Sequence, residues 1–310
     1  MQPSYTNSQT LPFKVAGHAG MRTTADGALV IKPAWPSERQ FYELLVRDQG
    51  LASLRPFIPR FFGSLPPSTH TLDLDDGMSG PRRRNESIIL ENLCYGFIKP
   101  NTLDVKLGTV FSDPFTPPEK VLRNQRTARA TTSYATGVRL TEFQVHSNTS
   151  GAPVCTPKSY GKALQVHELA AGLAQFFPAA CDRDPESGRG ESLGLPHRTL
   201  VPVLRGMRDT VVRIREAYAA LEMRIVGGSL LLVYEADWAR AEEGVKRMVS
   251  WPAGNDDHMD YCQVHRLPFC VKLVDFAHTR MAPGEGPDEG VLLGLDTMVK
   301  LLEGRIAQLS

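Results

Sequence analysis

The chain has 310 residues, of which 42% are hydrophobic and 22% charged, a composition typical of a globular protein with one large domain or two modest lobes. The formal net charge of +1 excludes a global field that would attract nucleic acid or a membrane, so any anion-binding site must be a local cluster. No apolar run approaches the roughly 20 residues of a membrane span, and the first ten residues lack the pattern of a secretory signal.

The cysteines indicate a reducing compartment. They are scattered, odd in number and without a CxxC pair, which favours reduced thiols in the cytosol or nucleus. No Cys/His cluster has the spacing of a zinc site. The five positions are Cys94, Cys155, Cys181, Cys262 and Cys270.

The first elements in the chain predict a small strand-rich lobe. Phe13–Gly20 and Ala28–Lys32 have the pattern of a β-hairpin. Ser37 is then predicted to cap a helix, with Gln40 completing a capping box and Gly50 ending the helix.

A polar loop and a strand complete this lobe. Residues 65–86 are rich in proline, glycine and charge, and their basic run at 81–84 is interpreted as part of the loop, with nuclear targeting as the alternative. Ser87–Leu93 predicts a strand. The expected boundary of the N-terminal lobe, with its hairpin, one helix and hinge strand, is residue 98.

The remainder, residues 99–310, is predicted to be mostly helical. Apolar residues at helical spacing indicate two amphipathic helices, initial prolines and a basic stripe indicate a further helix, a closing helix is also predicted, and two β-forming runs indicate strands. The predicted helices are 117–130, Lys162–Phe177, Thr199–Met223 and Gly290–Leu309; the strands are 229–235 and 269–276; and 237–265 is predicted to be an irregular excursion.

One further strand, in the stretch PNTLDVKLG (100–108), carries an acid and a base. Asp104 and Lys106 are two residues apart, so their side chains lie on the same face. An exposed ion pair, which contributes little stability, is the ordinary explanation. The alternative is that both side chains line a site.

Other polar residues at predicted strand ends favour a site over an exposed ion pair. Lys32 closes the run ALVIK, Glu91 follows SIIL, and Asp275 ends VKLVD before a phenylalanine. A strand lysine, a hinge acid and a late Asp-Phe are the elements by which protein kinases bind ATP. The chain has neither a His-Arg-Asp loop nor a P-loop motif, so a protein kinase and a P-loop enzyme are both disfavoured.

Three ordered motifs carry a resemblance to a known family. PNTLDVKLG fits P-x-x-x-D-x-K-x-G, and GSLLLVYE and LVDFAH follow in the expected order. The chain therefore resembles the inositol polyphosphate kinase family, and residues 113–120 and the Asp-Phe-Ala-His sequence are most similar to the multikinase branch. The resemblance implies an α+β fold of the protein-kinase-like or ATP-grasp type, with a small antiparallel-sheet lobe, a larger helical lobe and ATP in the cleft.

The resemblance also implies a nucleotide site. Lys32 would hold the ATP phosphates, and the backbone of Glu91 and Leu93 would bind adenine. Asp104 would take the ribose hydroxyls or help to deprotonate the attacking hydroxyl. Asp275, with Ser229, would serve the metal and phosphate end.

An acceptor site is implied on the other side of the γ-phosphate. Lys106 would lie between that phosphate and the inositol. Lys120, Arg123 and Arg126 form a basic stripe on the predicted helix 117–130, for which a solvated helix face is the alternative. The remaining implied acceptor residues are Lys158 and His278. Two departures from the family pattern are Gly228, where a serine is usual, and Asn101 after the proline.

The sequence thus predicts an enzyme: an ATP- and Mg²⁺-dependent kinase that converts inositol trisphosphate and tetrakisphosphate to tetrakis- and pentakisphosphate. Phosphoinositide lipids are further expected acceptors, and transcription regulators are expected partners. The alternatives are a trisphosphate 3-kinase or hexakisphosphate kinase of the same family, or a transcription-factor scaffold with a vestigial ATP site. We expect a monomer in nucleus and cytoplasm that does not bind nucleic acid directly.

Overall fold

The computed structural model describes residues 9–10, 20–66, 86–180, 192–250 and 267–310; for residues 9, 10, 249 and 250 it gives the backbone element only. Several predicted features lie outside these ranges: residues 13–19 of the predicted strand 13–20, most of the loop at 65–86 with its basic run, and Cys181 and Cys262.

The first sheet has five antiparallel strands in the order β1-β2-β3-β5-β4. Helix α1 (Pro36–Arg47) buries Phe41, Tyr42 and Leu45, and a 3₁₀ helix follows at Gln49–Phe57. The strands are β1 (Gln9–Thr10), β2 (Arg22–Thr23), β3 (Leu29–Ala34), β4 (Phe61–Leu65) and β5 (Glu86–Glu91).

The predicted ends of α1 were wrong. Trp35 is the N-cap and Pro36 opens the helix, where the fixed φ of proline suits the first turn and its missing N–H costs nothing. The Ser37 hydroxyl instead donates to the Ala277 carbonyl, at 2.6 Å. The helix stops at Arg47, and Gly50 belongs to the following 3₁₀ helix.

The second sheet is also five-stranded and antiparallel, in the order β11-β10-β6-β7-β8. Strands β7 and β8 were not predicted from the sequence. Between Leu103 and Val105 the pairing of β6 with β7 shifts register, and this bulge interrupts the period-2 pattern by which a strand is recognised. The strands are β6 (Pro100–Leu107), β7 (Val138–His146), β8 (Pro153–Thr156), β10 (Ser229–Glu235) and β11 (Phe269–Val274); a separate pair joins β9 (Met223–Ile225) to β12 (Thr279–Met281).

Helices pack around this second sheet. The predicted helix at 162–177 is divided, because Leu164 and Gln165 are extended between two shorter helices. The excursion predicted at 237–265 is wrong for its first half, which forms α7. The helices are α2 (Pro118–Ala130), α3 (Ser133–Thr136), α4 (Lys158–Ala163), α5 (Leu169–Phe176), α6 (His197–Ala219), α7 (Trp238–Ser250) and α8 (Glu289–Leu309).

The two faces of the second sheet differ in character. Leu103, Val105, Leu230 and Leu232 lie on one face, inside the main core that α6 and α8 also enter. Since side chains alternate across a strand, Asp104 and Lys106 lie on the opposite face of β6. The sequence therefore placed this pair correctly on one face.

The α+β, two-lobed fold class is confirmed by the similarity to solved structures reported below. Residues 99–310 were predicted to be mostly helical, but they also contain the five-stranded second sheet. The lobe boundary at residue 98, which falls between β5 and β6, stays a prediction. Within the described ranges, no helix combines the length and apolarity that crossing a bilayer requires.

Gly161 sets the close approach of α4 to β7. A Cβ at this position would lie 1.7 Å from the Leu140 carbonyl oxygen, which is backbone and cannot move aside. We expect Gly161→Ala to lower the free energy of unfolding in urea by about 3 kcal/mol. Gly304→Ala is the matched control: no atom lies within 4 Å of its Cβ, so it should stabilise α8 by up to about 1 kcal/mol. Equal effects of the two substitutions would contradict this packing.

Candidate active site

A cavity of about 520 Å³ opens between the two sheets, a volume that suits a mononucleotide. Val30 and Leu90 line it from the first sheet, and Leu231 and Val274 from the second. The segment 92–97, which leads from one sheet toward the other, forms a further wall. The cavity is thus apolar on two opposite sides, as a flat aromatic base requires.

The predicted hinge residues lie on this wall. Glu91 and Leu93 both line the cavity. The Glu91 N–H donates to the Arg60 carbonyl, whereas the Leu93 backbone has no hydrogen bond to any described residue. Because backbone polar groups require partners, the Leu93 N–H and carbonyl are suited to the edge of a base. The Glu91 carboxylate itself is buried and lies 3.6 Å from the Lys272 ammonium.

A buried lysine joins two carboxylates at the far end of the cavity. The Lys32 Nζ donates to Glu38 Oε1 at 2.7 Å and to Asp275 Oδ1 at 2.8 Å. Burial alone would lower the pKa of Lys32, but Asp275 and Glu38 outweigh it and raise that pKa above its ordinary value. The ammonium is therefore charged, positioned and able to exchange a carboxylate for phosphate oxygens.

Glu38 was missed from the sequence. It lies in the first turn of α1, is 1% exposed, and holds Lys32 as a helix glutamate holds the strand lysine of protein kinases. The signal was present, because an acid follows the strand lysine by six residues at the start of the next helix.

Asp275 has an unusual backbone conformation. Among the described residues it is the one non-glycine with a positive φ, 68°. Such conformations cost about 1–3 kcal/mol and cluster at functional sites. Phe276, which follows it, is fully buried and stacks on Phe41 of α1 at 4.5 Å. The turn is therefore held by packing on both sides of the cleft.

Asp104 and Lys106 meet Asp275 from the second sheet. The Lys106 Nζ donates to the Gly227 carbonyl at 2.7 Å and lies 3.5 Å from Asp275 Oδ2. Burial raises the pKa of Asp104 above its ordinary value, although the nearby Lys106 charge opposes the shift. The pair is therefore no exposed surface bridge. Asp104 is not among the residues lining the cavity, and its ribose contact stays a prediction.

Three buried polar atoms on neighbouring strands have no hydrogen bond of good geometry among the described residues, although Ser229 is close enough to Asp104 to oppose the rise of its pKa: Thr102 Oγ1, Asp104 Oδ1 and Ser229 Oγ. Orphaned buried groups are costly and point to a missing partner. Of these, Ser229 pairs with Val274, directly before Asp275, so its hydroxyl and the Asp275 carboxylate fit a hard divalent cation that takes its other ligands from phosphates and water. No larger group of metal-binding side chains occurs in the described ranges.

Arg139 is a second residue that the sequence reasoning missed. It pairs directly with Lys106 across β6 and β7, so the two cations lie side by side on one face. Its guanidinium lies 5.8 Å from the Phe111 ring centroid. Two adjacent like charges are unfavourable, and here they are partly offset by Asp104, whose charge acts on Arg139, and by Asp275 beside Lys106. The pair is a candidate position for a phosphate next to Lys106. Arg139 could not be placed beside Lys106 from the sequence, because the bulge kept β7 from being recognised as a strand.

Among the predicted acceptor-binding residues, His278 is held in place by a carboxylate. The His278 Nδ1 lies 2.8 Å from Asp113 Oδ2, which ties the Asp-Phe-Ala-His turn to the loop before α2. Burial alone would raise the pKa of Asp113, but hydrogen bonds from Thr116 and His278 bring it below its ordinary value. This pair fixes the position of His278, three residues after Asp275.

The basic stripe on α2 is available to an anion. Arg123 and Arg126 are exposed and Lys120 is half-buried. None of the three forms an ion pair with a described carboxylate, and Asp113, in the loop before α2, pairs with His278 instead. Lys158 is different: it is exposed and pairs with Glu142 at 3.2 Å, and no described contact joins it to Lys106 or His278. The substrate roles of all four cations stay predictions.

The Lys32–Glu38 pair gives a testable result. Glu38→Gln keeps the shape but removes the buried charge that holds Lys32, so nucleotide affinity should fall by about 10-fold, or about 1.4 kcal/mol. Calorimetric titration with ADP measures it. Glu43→Gln, a partly exposed glutamate of the same helix paired with Arg39, is the control and should bind normally. Wild-type affinity of Glu38→Gln would remove Glu38 from the site.

The cavity, the hinge and the lysine–carboxylate cluster together define an ATP-dependent phosphotransferase. The family model described as inositol polyphosphate kinase matches residues 87–303. The chain belongs to the inositol polyphosphate kinase family.

Comparison with individual proteins gives the same placement. The inositol polyphosphate multikinase of Saccharomyces cerevisiae is 26% identical over 95% of this chain and 98% of its own length. That of Schizosaccharomyces pombe is 25% identical over 93% and 94%, respectively. Mouse inositol hexakisphosphate kinase 3 is 27% identical over 71% of this chain but only 51% of its own length.

Solved structures confirm the fold. The S. cerevisiae inositol phosphate multikinase, solved in complex with ADP and Mn²⁺, covers 90% of this chain and 99% of its own with a TM-score of 0.66 and 23% identity. A second multikinase structure covers 86% and 99% with a TM-score of 0.57 and 18% identity.

Proposed function

We propose that the protein transfers the γ-phosphoryl group of ATP to hydroxyls of soluble inositol phosphates, converting trisphosphate and tetrakisphosphate to tetrakis- and pentakisphosphate. The observation that carries the proposal is the meeting of Lys32 and Lys106 on the two oxygens of Asp275, at 2.8 and 3.5 Å. One lysine comes from each sheet, so the cluster lies where a phosphoryl group would pass from nucleotide to acceptor.

The residues have distinct proposed tasks. Lys32 binds the nucleotide phosphates, and Lys106 neutralises charge on the γ-phosphoryl group as the bond to the β-phosphate breaks and the bond to the acceptor oxygen forms. Asp104 receives the hydroxyl proton. Its raised pKa brings the carboxylate toward the range in which general bases act.

Mg²⁺ is the proposed metal, held by Asp275 with Ser229 nearby; when bound, it supplies charge neutralisation on the phosphates. The acceptor phosphates are proposed to bind Arg139, His278 and the α2 cations, because an inositol phosphate carries several dianions and needs a local cationic surface. Phosphoinositide headgroups, transcription regulators as partners, a monomeric state and a nuclear and cytoplasmic location stay predictions from the resemblance.

Product analysis tests this function. The protein is incubated with Mg²⁺-ATP and, separately, inositol tris-, tetrakis- and hexakisphosphate, and the products are resolved by anion-exchange chromatography. We expect tetrakis- and pentakisphosphate from the first two acceptors and little conversion of the third. Conversion of hexakisphosphate alone would favour the hexakisphosphate kinase alternative, and absence of any conversion would favour the scaffold.

A further inference from the structure

The cavity wall at 92–97 is tied at its first end to the hairpin of the N-terminal sheet. Asn92 makes two contacts with the hairpin and one within the wall. Its N–H donates to the Ala28 carbonyl at 3.0 Å and its side-chain amide to the Gly27 carbonyl at 2.8 Å. Its Oδ1 accepts from the Cys94 N–H at 3.0 Å. The start of the wall thus moves with β3.

The second end of the wall is tied to the other sheet by one carboxylate. Glu235, the last residue of β10, is 1% exposed. Its oxygens accept from the N–H groups of Ile98 at 2.7 Å, Lys99 at 2.9 Å and Asp237 at 2.9 Å. The Ala236 N–H also donates to the Lys99 carbonyl at 2.9 Å. The backbone just before β6 is therefore fixed to the end of β10 through the N–H groups of Ile98 and Lys99 and through the Lys99 carbonyl.

Glu235 is unusual for a buried carboxylate. No cation in the described part of the chain lies within ion-pair distance of it, although Arg240 and Arg247 line the same small pocket. The hydrogen bonds that its carboxylate accepts all come from backbone N–H groups. Hydrogen bonds to an ionised acceptor are stronger than neutral ones. A neutral residue would satisfy fewer of these donors, which suggests that the position needs a carboxylate for holding the connecting chain.

Glu235 does not itself line the nucleotide cavity, but residues 92–97, which directly precede Ile98 and Lys99, do. We propose that Glu235 is a positioning residue for the nucleotide: by binding the backbone of Ile98 and Lys99, it fixes the far end of the wall at 92–97 against which the base packs. The inference rests on the proposed function for the identity of the ligand. A wall fixed in advance avoids the ordering cost of binding.

Calorimetric titration of the full-length protein with ADP and Mg²⁺ tests the proposal. Glu235→Ala leaves three backbone donors without an acceptor, and we expect the Kd for ADP to rise by about 10-fold as the wall becomes mobile. Glu235→Gln keeps one acceptor oxygen and should raise the Kd by about 3-fold. In steady-state kinetics the KM for ATP should rise in the same order while the KM for the inositol phosphate stays unchanged.

Asp237→Ala is the matched control. The Asp237 side chain accepts from the Arg240 N–H at the start of α7, two residues from Glu235, so its loss destabilises the same region without releasing the wall. We expect a lower Tm and an unchanged Kd for ADP. A role of Glu235 in folding alone would give its variants this same pattern.

The proposal is overturned if Glu235→Gln and Glu235→Ala bind ADP as the wild type does, or if Asp237→Ala weakens ADP equally. Should Glu235→Ala fail to fold, Glu235→Gln decides the matter by the same criterion. ADP binding requires no acceptor, so a wild-type protein that binds ADP but phosphorylates no inositol phosphate would refute the proposed function and leave this test intact.

Discussion

Asp275→Asn is expected to reduce kcat by at least 100-fold, about 2.7 kcal/mol of transition-state stabilisation, while the protein stays folded. The carboxylate contacts both lysines of the cluster and is the proposed metal ligand, so its charge is needed as the phosphoryl group moves. Asparagine has nearly the same shape and tolerates a positive φ, and Lys32 keeps Glu38 as a partner. Steady-state kinetics with a thermal melt measure both outcomes.

Asp209→Asn controls for loss of a negative charge as such. Asp209 is an exposed carboxylate of α6 whose side chain pairs with Arg208, and its substitution should change neither kcat nor Tm appreciably. If Asp275→Asn kept more than about a tenth of the wild-type kcat, a loss below about 1.4 kcal/mol, the metal and phosphate role of Asp275 would be wrong.

Lys106→Ala is the second large effect. Its ammonium lies between Asp275 and the Gly227 carbonyl, and the proposed task is to neutralise charge on the transferring group. We expect kcat to fall by about 100-fold and ADP affinity to change much less, because Lys32 holds the nucleotide phosphates. Kinetics with ATP and inositol trisphosphate varied separately distinguish the two parameters.

Two comparisons sharpen this result. Lys300→Ala removes an exposed lysine of α8 and should have wild-type kinetics. Asp104→Ala should lower kcat if the carboxylate accepts the hydroxyl proton, and should instead raise the KM for ATP if it holds the ribose. Wild-type kinetics for Lys106→Ala would refute a site at this strand and remove the main support for a kinase.

The residues that sequence reasoning placed correctly share a simple local signal. Asp104 and Lys106 lie two apart in a strand, so the period of a strand puts them on one face. Asp275 directly follows the end of β11 as predicted, whereas Lys32, predicted at a strand end, lies inside β3, which continues to Ala34. That these edges meet could be inferred from the resemblance, whereas the distances between Lys32, Lys106 and Asp275 required the structure.

Two site residues and one helix were not predicted from the sequence, and each has a physical reason. Arg139 was hidden because a β-bulge disrupts the alternation of β7. Glu38 was overlooked because acidic residues are ordinary in the first turn of any helix, so its position six residues after Lys32 did not identify it by itself; its burial against Lys32 does. Helix α7 was read as irregular although Trp238, Ala241, Val245 and Met248 have helical spacing, because its other positions are highly charged.

The central claim is that this lysine–carboxylate cluster passes a phosphoryl group to an inositol phosphate, and one measurement tests it most directly. ATP labelled in the γ-phosphate is incubated with Mg²⁺, inositol tetrakisphosphate and the wild-type protein, and label and ADP are quantified together. We predict one labelled pentakisphosphate for each ADP formed. Release of ADP without label in the inositol product, or no ADP at all from protein that binds it, would contradict the account.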